Sequence, residues 1–243
     1  MPDELFANPR LAVLYDRFDH DRSDLDVYAA MIASFAAHSI LDVGCGTGSL
    51  AVRLAAAGLT VVGVDPAEAS LNVARTKPHA DDVRWILGDA TDLPPLAVDV
   101  AVMCGNVAQV FVDDGDWAAT LDGVRAAVAP TGRFVFETRD PARRAWERWR
   151  PDETRVTIDI PSIGAVTSWH ELRSVDLPLV TFDTTYRFHD EGTELLSRST
   201  LRFRERDELT ADLATAGFTV DEVRDAPDRP GLEWVFIARP TDR

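Results

Sequence analysis

Three glycines at alternate positions, Gly44, Gly46 and Gly48, follow an apolar run of Ile40, Leu41 and Val43 that carries Asp42 near its end. Leu50, Leu54 and Ala57 then share one helical stripe, so the order is strand, glycine turn, helix. A corner of this kind binds nucleotides, because glycine permits positive φ and its missing Cβ lets a ligand lie against the backbone. Spacing narrows the choice. A dinucleotide fingerprint needs its third glycine at position 49, which is Ser49. A phosphate loop ends in Gly-Lys-Ser/Thr, and the only lysine of the chain, Lys77, stands in no such context. The corner therefore reads as one with no cation nearby, suited to a nucleoside ligand without a phosphate.

Residues 39–50, SILDVGCGTGSL, closely resemble the first motif of the class I (Rossmann-like) S-adenosylmethionine-dependent methyltransferases, in the small-molecule group of that family. Asp42 matches the acidic residue that stands two before G-x-G-x-G. The likeness runs in order over about residues 39–139 and more loosely over 205–240. It implies S-adenosylmethionine as cofactor and S-adenosylhomocysteine as product, held at Asp42, Gly44, Cys45, Gly46 and Gly48. Asp65-Pro66 closes the strand Thr60–Val64, where an acid can accept both ribose hydroxyls. Pro66 also suits a first helical turn, so Asp65 doubles as an N-cap. After a third strand at 83–87, the resemblance sets Asp89 against the adenine amino group and the backbone of Ala90 against the ring. The alternative for Asp89 is a solvated turn. Asn106 follows the fourth strand, 99–104, and reads either as an amide offered to ligand or substrate or as a turn residue. Tyr15, on an N-terminal helix, could reach the methionine end or be a plain packed aromatic.

These motifs need a doubly wound α/β sheet to bring them together. The expected fold is a seven-stranded Rossmann-like methyltransferase sheet, its order 3-2-1-4-5-7-6 with the last strand antiparallel implied by the resemblance. Between the fifth strand and the final helix (206–216) the pattern changes to period two. Residues 155–160, 165–175, 179–188 and 194–204 read as an antiparallel β meander inserted after strand 5. Val180, Phe182, Tyr186 and Phe188 share one face; Thr181, Asp183, Thr185 and Arg187 share the other. The division expected is an N-terminal helical cap at 1–38, a cofactor-binding core at 39–150 and 205–243, and the β insert as a lid at 151–204. Trp169, His170, Tyr186 and Arg187 are the insert's side chains most suited to an acceptor pocket, and the competing role for the insert is a homodimer face. Methyl transfer to an amine needs no base. A hydroxyl acceptor would need one, and His170 and Glu137 are the candidates, with Tyr186 a further catalytic candidate.

Composition limits the partners. The chain has 243 residues, a net charge of −16 and a pI near 4.6. That field repels a phosphate backbone, so no nucleic acid is expected and a small-molecule methyl acceptor is favoured. No apolar run nears the ~20 residues of a membrane span, and the polar start MPDELFANPR does not read as a signal peptide, so a soluble, cytoplasmic protein is expected. Cys45 and Cys104 read as buried thiols rather than a disulfide. The five histidines have no metal-ligand spacing, and Asp19–Asp24 lacks the Gly and Glu of a calcium loop, so no metal is expected. The reading is transfer of a methyl group to nitrogen or oxygen of a small molecule. The alternatives are a non-catalytic S-adenosylmethionine binder and a nicotinamide oxidoreductase.

Overall fold

The computed structural model describes residues 2–19 and 21–241; His20, one of the five histidines and part of the acidic stretch Asp19–Asp24, lies outside them. Three helices come first: α1 (Glu4–Ala7), α2 (Pro9–Phe18) and α3 (Asp24–Ser34). Asn8 caps α2 by accepting from the Arg10 amide, with Pro9 at the first helical position. The alternating half follows: β1 (Ser39–Val43), α4 (Ser49–Ala56), β2 (Thr60–Asp65), α5 (Glu68–Ala74), β3 (Val83–Leu87), β4 (Val98–Met103), α6 (Asp114–Ala127) and β5 (Val128–Arg139). Then come a short helix α7 (Pro151–Thr154) and four strands, β6 (Val156–Ile160), β7 (Gly164–Asp176), β8 (Leu179–Phe188) and β9 (Thr193–Arg202). Helix α8 (Arg206–Thr215) and strands β10 (Phe218–Asp225) and β11 (Glu233–Pro240) complete the chain.

The main sheet runs β10-β11-β5-β4-β1-β2-β3. Counting only its own strands, this is the order 3-2-1-4-5-7-6, with β11 antiparallel to both neighbours. Its central strands are apolar along their length because helices cover both faces. One face packs Leu41, Val43, Met103, Trp117, Leu121 and Phe136; the other packs Ile40, Val100, Val102, Leu50, Leu54 and Ile32. The β5–β11 seam is aromatic, with Phe136 and Phe236 stacked at 5.0 Å. β1 lies between β2 and β4, so the connections reverse direction there. A crevice at the carboxyl ends of strands follows from that reversal.

The second sheet, β6-β7-β8-β9, is antiparallel and shares no strand with the first. Its bounds fall within two residues of the alternation read from the sequence. Where the sequence suggested no structure, residues 141–154 fold into two short 3-10 turns and α7, which carry Trp146 and Trp149 under the sheet. Strand β5 begins at Val128 and passes close to β4, where a Cβ on Gly132 would lie 2.7 Å from the Asp99 carbonyl oxygen. Helices α1 and α2 tie the two sheets together. Leu11 and Leu14 pack with Ile160, Val166, Tyr186 and Phe188, the Leu5 amide donates to Ser197 Oγ at 2.8 Å, and Ser70 Oγ donates to the Phe6 carbonyl at 3.1 Å. No helix among the described residues is long and apolar enough to cross a membrane.

Candidate active site

The glycine corner forms where β1 passes into α4. The Gly44 and Cys45 amides donate to the Val64 carbonyl at 2.9 and 3.1 Å, which fastens the turn to the neighbouring strand. Two positions there demand glycine outright. A Cβ on Gly44, at φ +69°, would lie 2.6 Å from Val107 Cγ1, and one on Gly48, at φ +74°, 2.5 Å from the Trp85 ring. Asp65, buried at the end of β2, accepts the Gly46 amide on Oδ2 and the Ala67 amide on Oδ1, both at 2.8 Å. It thus braces both the corner and the start of α5. Each oxygen keeps a second lone pair for a ligand hydroxyl. Burial raises its pKa, and the two backbone donors oppose that rise. Pro66 follows on the same turn, exposed.

One expectation is corrected here: the corner does have a cation beside it. Lys77 Nζ lies 2.7 Å from Ser49 Oγ and 3.2 Å from Thr47 Oγ1, because the end of α5 folds back over the start of α4. The charge is already matched. Asp16 on α2 pairs with Lys77 at 2.6 Å and accepts from Thr47 Oγ1 at 2.7 Å. A phosphate would meet that carboxylate, so the exclusion of a phosphate ligand stands on a different ground from the one the sequence offered.

Asp42 is buried in β1 opposite Gly63. Burial, reinforced by the charge of Asp65, pushes its pKa up to about 7, and Arg22 pulls the other way. Arg22 holds Asp24 through two 3.2 Å contacts. Burial pushes the Cys45 and Cys104 thiols well above their usual range, so neither is a ready thiolate; both are free. Asp89 is exposed and caps a turn by accepting the Thr91 amide at 2.8 Å, which is the solvated-turn arrangement. Ala90 beside it is buried, its carbonyl against Gly123 of α6.

Across β4 and β5 stands a wall of buried polar groups. Asn106, at φ 61°, donates its amide to Glu137 Oε1 at 3.1 Å and Nδ2 to Glu233 Oε2 at 3.2 Å. Glu137 also accepts from Tyr28 Oη and the Gly105 amide. Burial, then the charge of Glu233, raises its pKa to about 7. With three donors on it, Glu137 is a brace between α3, β4 and β5 rather than the free base its position suggested. Glu233 takes Arg229 at 2.8 Å and Arg139 at 3.6 Å, and Arg139 continues to Gln109 Oε1 at 2.9 Å. Tyr15 approaches this wall from α2. Burial raises its pKa, and Arg22, Asp19, Asp16 and Arg229 are its charged neighbours. Among the described residues its hydroxyl bonds to none.

The second sheet closes the opposite side. His170 pairs with Thr184 across β7–β8, with Nδ1 2.9 Å from Thr184 Oγ1. Burial lowers its pKa, and the nearby charge of Arg139 lowers it further. Tyr186, bonded to Ser168 and close to Tyr15, is pushed up to about 12, chiefly by burial. Trp169 and Arg187 are corrected. Strand alternation puts them on the outer face, where Trp169 sits between the guanidinium groups of Arg155 and Arg187 at 4.3 and 5.5 Å. Of the four, His170 and Tyr186 lie on the inner face, His170 within reach of the charge of Arg139 and Tyr186 packed against α2.

Residues 40–132 match the family described as methyltransferase domain. The fold of the whole chain is that of the class I methyltransferases. The chain is 31% identical over 159 residues to the cypemycin N-terminal methyltransferase of a Streptomyces species, a match covering 63% of this chain and 64% of that protein, a little under two thirds of its length. Among solved structures it is similar to the CcbJ methyltransferase of Streptomyces caelestis, with TM-score 0.79, 22% identity, and 99% of this chain and 100% of that one covered. It is also similar to CalS10, an amino pentose methyltransferase from Micromonospora echinaspora, with TM-score 0.70, 20% identity, and 90% and 91% covered.

Several groups of this candidate site carried no sequence signal. Arg22, Tyr28, Gln109, Arg229 and Glu233 lie in no motif, and their spacing resembles that of any surface charge or helix residue. They meet only because α3, the turn after β4 and the β10–β11 connection converge at one end of the sheet. Among the described residues no cluster of His, Cys, Asp and Glu is arranged to hold a metal ion.

Proposed function

We propose that this enzyme transfers a methyl group from S-adenosylmethionine to a nitrogen of a small molecule. The observation that carries the reading is the meeting of three parts at the carboxyl ends of β1, β2 and β4: a corner where Gly44 and Gly48 admit no side chain, the brace Asp65, and the buried polar wall of Asn106, Glu137 and Glu233. S-adenosylmethionine supplies a methyl carbon on a sulfonium, which leaves as the neutral thioether S-adenosylhomocysteine when a lone pair attacks in line. Asp42, Gly44, Cys45, Gly46 and Gly48 form the cofactor cradle, with Asp65 and Pro66 at the ribose, Asp89 and Ala90 at the adenine, Tyr15 at the methionine end, and Asn106 on the acceptor side of the transferred methyl. The protein's work is orientation and exclusion of water, since the leaving group is already charged.

Nitrogen is favoured because a neutral amine carries its own lone pair and needs no base in the transfer step. An amine that arrives as ammonium must lose a proton before it attacks. His170, kept neutral by burial and Arg139, is able to take it. A hydroxyl acceptor is the second reading, favoured by that same neutral His170. The β insert serves as a wall and lid for the acceptor, and residues 1–38 cap the cofactor. A cytoplasmic setting belongs to this reading, and the two free thiols agree with it.

The test is direct. Calorimetry is expected to show saturable binding of S-adenosylhomocysteine and none of NAD. Protein incubated with methyl-labelled S-adenosylmethionine and a metabolite extract is expected to label an amine, which acid-stable N-methyl product analysis identifies. NAD binding without S-adenosylhomocysteine binding would overturn the reading.

A further inference from the structure

The strongest unspent group in the molecule is the side-chain oxygen of Asn106. It is buried, the residue being 4% exposed, and it has no hydrogen-bond partner. Leaving an acceptor unmade in the interior costs about 1–3 kcal/mol, so its retention calls for a ligand. Every other polar atom of the residue is committed. The backbone amide is on Glu137 and Nδ2 is on Glu233. Glu233 in turn is held by Arg229 and Arg139.

This arrangement fixes which way the amide faces. A carboxylate can only accept, so the NH2 end must meet Glu233 and the oxygen must point away from it. The backbone is fixed as well. Gly105 and Asn106 are consecutive left-handed residues, at φ 77° and 61°, and the next residue, Val107, fills the space over Gly44. Asn106 is therefore the residue next to the contact with the glycine corner, at the point where the sheet reverses order between β1 and β4.

We infer that Asn106 Oδ1 is the positioning acceptor for the attacking nitrogen: it takes a hydrogen bond from the N–H of the incoming amine and leaves the lone pair directed at the methyl carbon. The inference rests on the methyl-transfer reading and makes it more specific. In the step, the nitrogen lone pair forms the N–C bond, the C–S pair leaves on sulfur, and the ammonium product releases its proton to water. An acceptor with at least one N–H beyond the lone pair is required, so a primary or secondary amine fits and a tertiary amine does not.

A probe for this contact needs no knowledge of the acceptor. Sinefungin replaces the methylsulfonium of the cofactor by an amine-bearing carbon, which puts an ammonium near the position of the transferred methyl. Sinefungin and S-adenosylhomocysteine share every other contact. Asn106→Gly keeps the left-handed backbone and removes the oxygen together with the Nδ2 donor to Glu233; Asn106→Asp lacks the same donor, so the two variants differ in the acceptor. Calorimetry on this variant is expected to show sinefungin weakened at least tenfold, about 1.4 kcal/mol, with S-adenosylhomocysteine within twofold of the parent. Asn106→Asp, which keeps an oxygen acceptor and tolerates the same backbone, is expected to recover sinefungin to within about threefold. A parallel loss of both ligands would show that the side chain holds the body of the cofactor and would overturn the inference. So would unchanged binding of both. If neither ligand binds the parent protein, the methyl-transfer reading itself falls, and the inference with it.

Discussion

At residues 44–48 the surface offered to a ligand is backbone, whereas on the inner face of β7–β9 it is side chains at every second position. The corner is held by amides: Gly44 and Cys45 on Val64, Gly46 on Asp65. Its shape tolerates little change because two glycines sit where a methyl group would collide. The inner face of the second sheet is built differently. Its ends are closed by apolar clusters, around Tyr186 and Phe188 on one side and Trp146, Val180 and Phe203 on the other. Between them runs a strip of polar residues, in which Ser168 bonds to Tyr186, His170 to Thr184, and Ser197 accepts the Leu5 amide of α1. On the proposed methyl-transfer reading, a common cofactor is read by a rigid backbone, while the acceptor is changed one side chain at a time without disturbing a ladder.

If that contrast is right, the largest effect belongs to the corner. Gly48→Ala forces a left-handed alanine, about 1–2 kcal/mol, and pushes a methyl into Trp85 and Ala74, about 1–3 kcal/mol more. Urea unfolding is expected to show a loss of about 2–5 kcal/mol, together with failed S-adenosylhomocysteine binding. A neutral result would mean the loop is far more pliable than its contacts indicate.

Asp65→Ala comes next. S-adenosylhomocysteine affinity is expected to drop by about 1.5–3 kcal/mol, the range for hydrogen bonds to a charged group. Because the carboxylate also braces Gly46 and Ala67, the melting temperature should fall as well. Loss of stability with an unchanged dissociation constant would reduce Asp65 to a brace.

On the insert, His170→Ala and Tyr186→Phe are expected to lower turnover about tenfold while S-adenosylhomocysteine affinity stays within about threefold, roughly 0.6 kcal/mol. The His170 limb of the pH–rate profile is expected below the ordinary value near 6.5, since burial and Arg139 both favour the neutral ring. Full activity in both variants would remove the insert from the acceptor site.

The two raised carboxyls sharpen the comparison through pH. Asp42 and Glu137 have folded pKa values of about 7, above their unfolded ones, so between about pH 4 and 7 the native state holds more protons. Stability of the ligand-free protein therefore falls as pH rises through that window, by up to about 1.4 kcal/mol per unit for each group. Asp42→Asn is expected to flatten the profile seen in thermal melts between pH 5 and 7.5. The smallest effect is reserved for the outer face. Arg187→Ala breaks only a half-exposed pair with Glu194 and a stack on Trp169, so stability should change by no more than about 0.5 kcal/mol and activity not at all. A large effect on activity there would reassign the working face of the sheet.

How much of this was legible in the chain depends on how local each signal is. Ile40–Val43, the glycines behind it, and Thr60–Asp65 could be read because the chemistry and the geometry share one short stretch of backbone. The insert was legible as strands for the same reason. Period two reports pleat and face, and it grouped Val180, Phe182, Tyr186 and Phe188 correctly. It could not say which face meets the rest of the molecule, so Trp169 and Arg187 were placed with His170 although neighbouring strand positions point oppositely.

The sequence by itself determined the alternation of strands and helices, the glycine corner, the acid at the end of β2 and the antiparallel insert, because each follows from steric limits or alternation acting over a few residues. The strand order came through the family resemblance. Tertiary structure alone decided that Lys77 stands beside Ser49, that Glu137 is tied down by Tyr28 and two amides, and that Arg139, Glu233 and Arg229 surround Asn106. Those groups are distant along the chain and carry no periodicity of their own. Their partners are set by how α2, α3 and the β10–β11 connection settle over the crevice, and a buried charge acquires its meaning only from the charges packed against it.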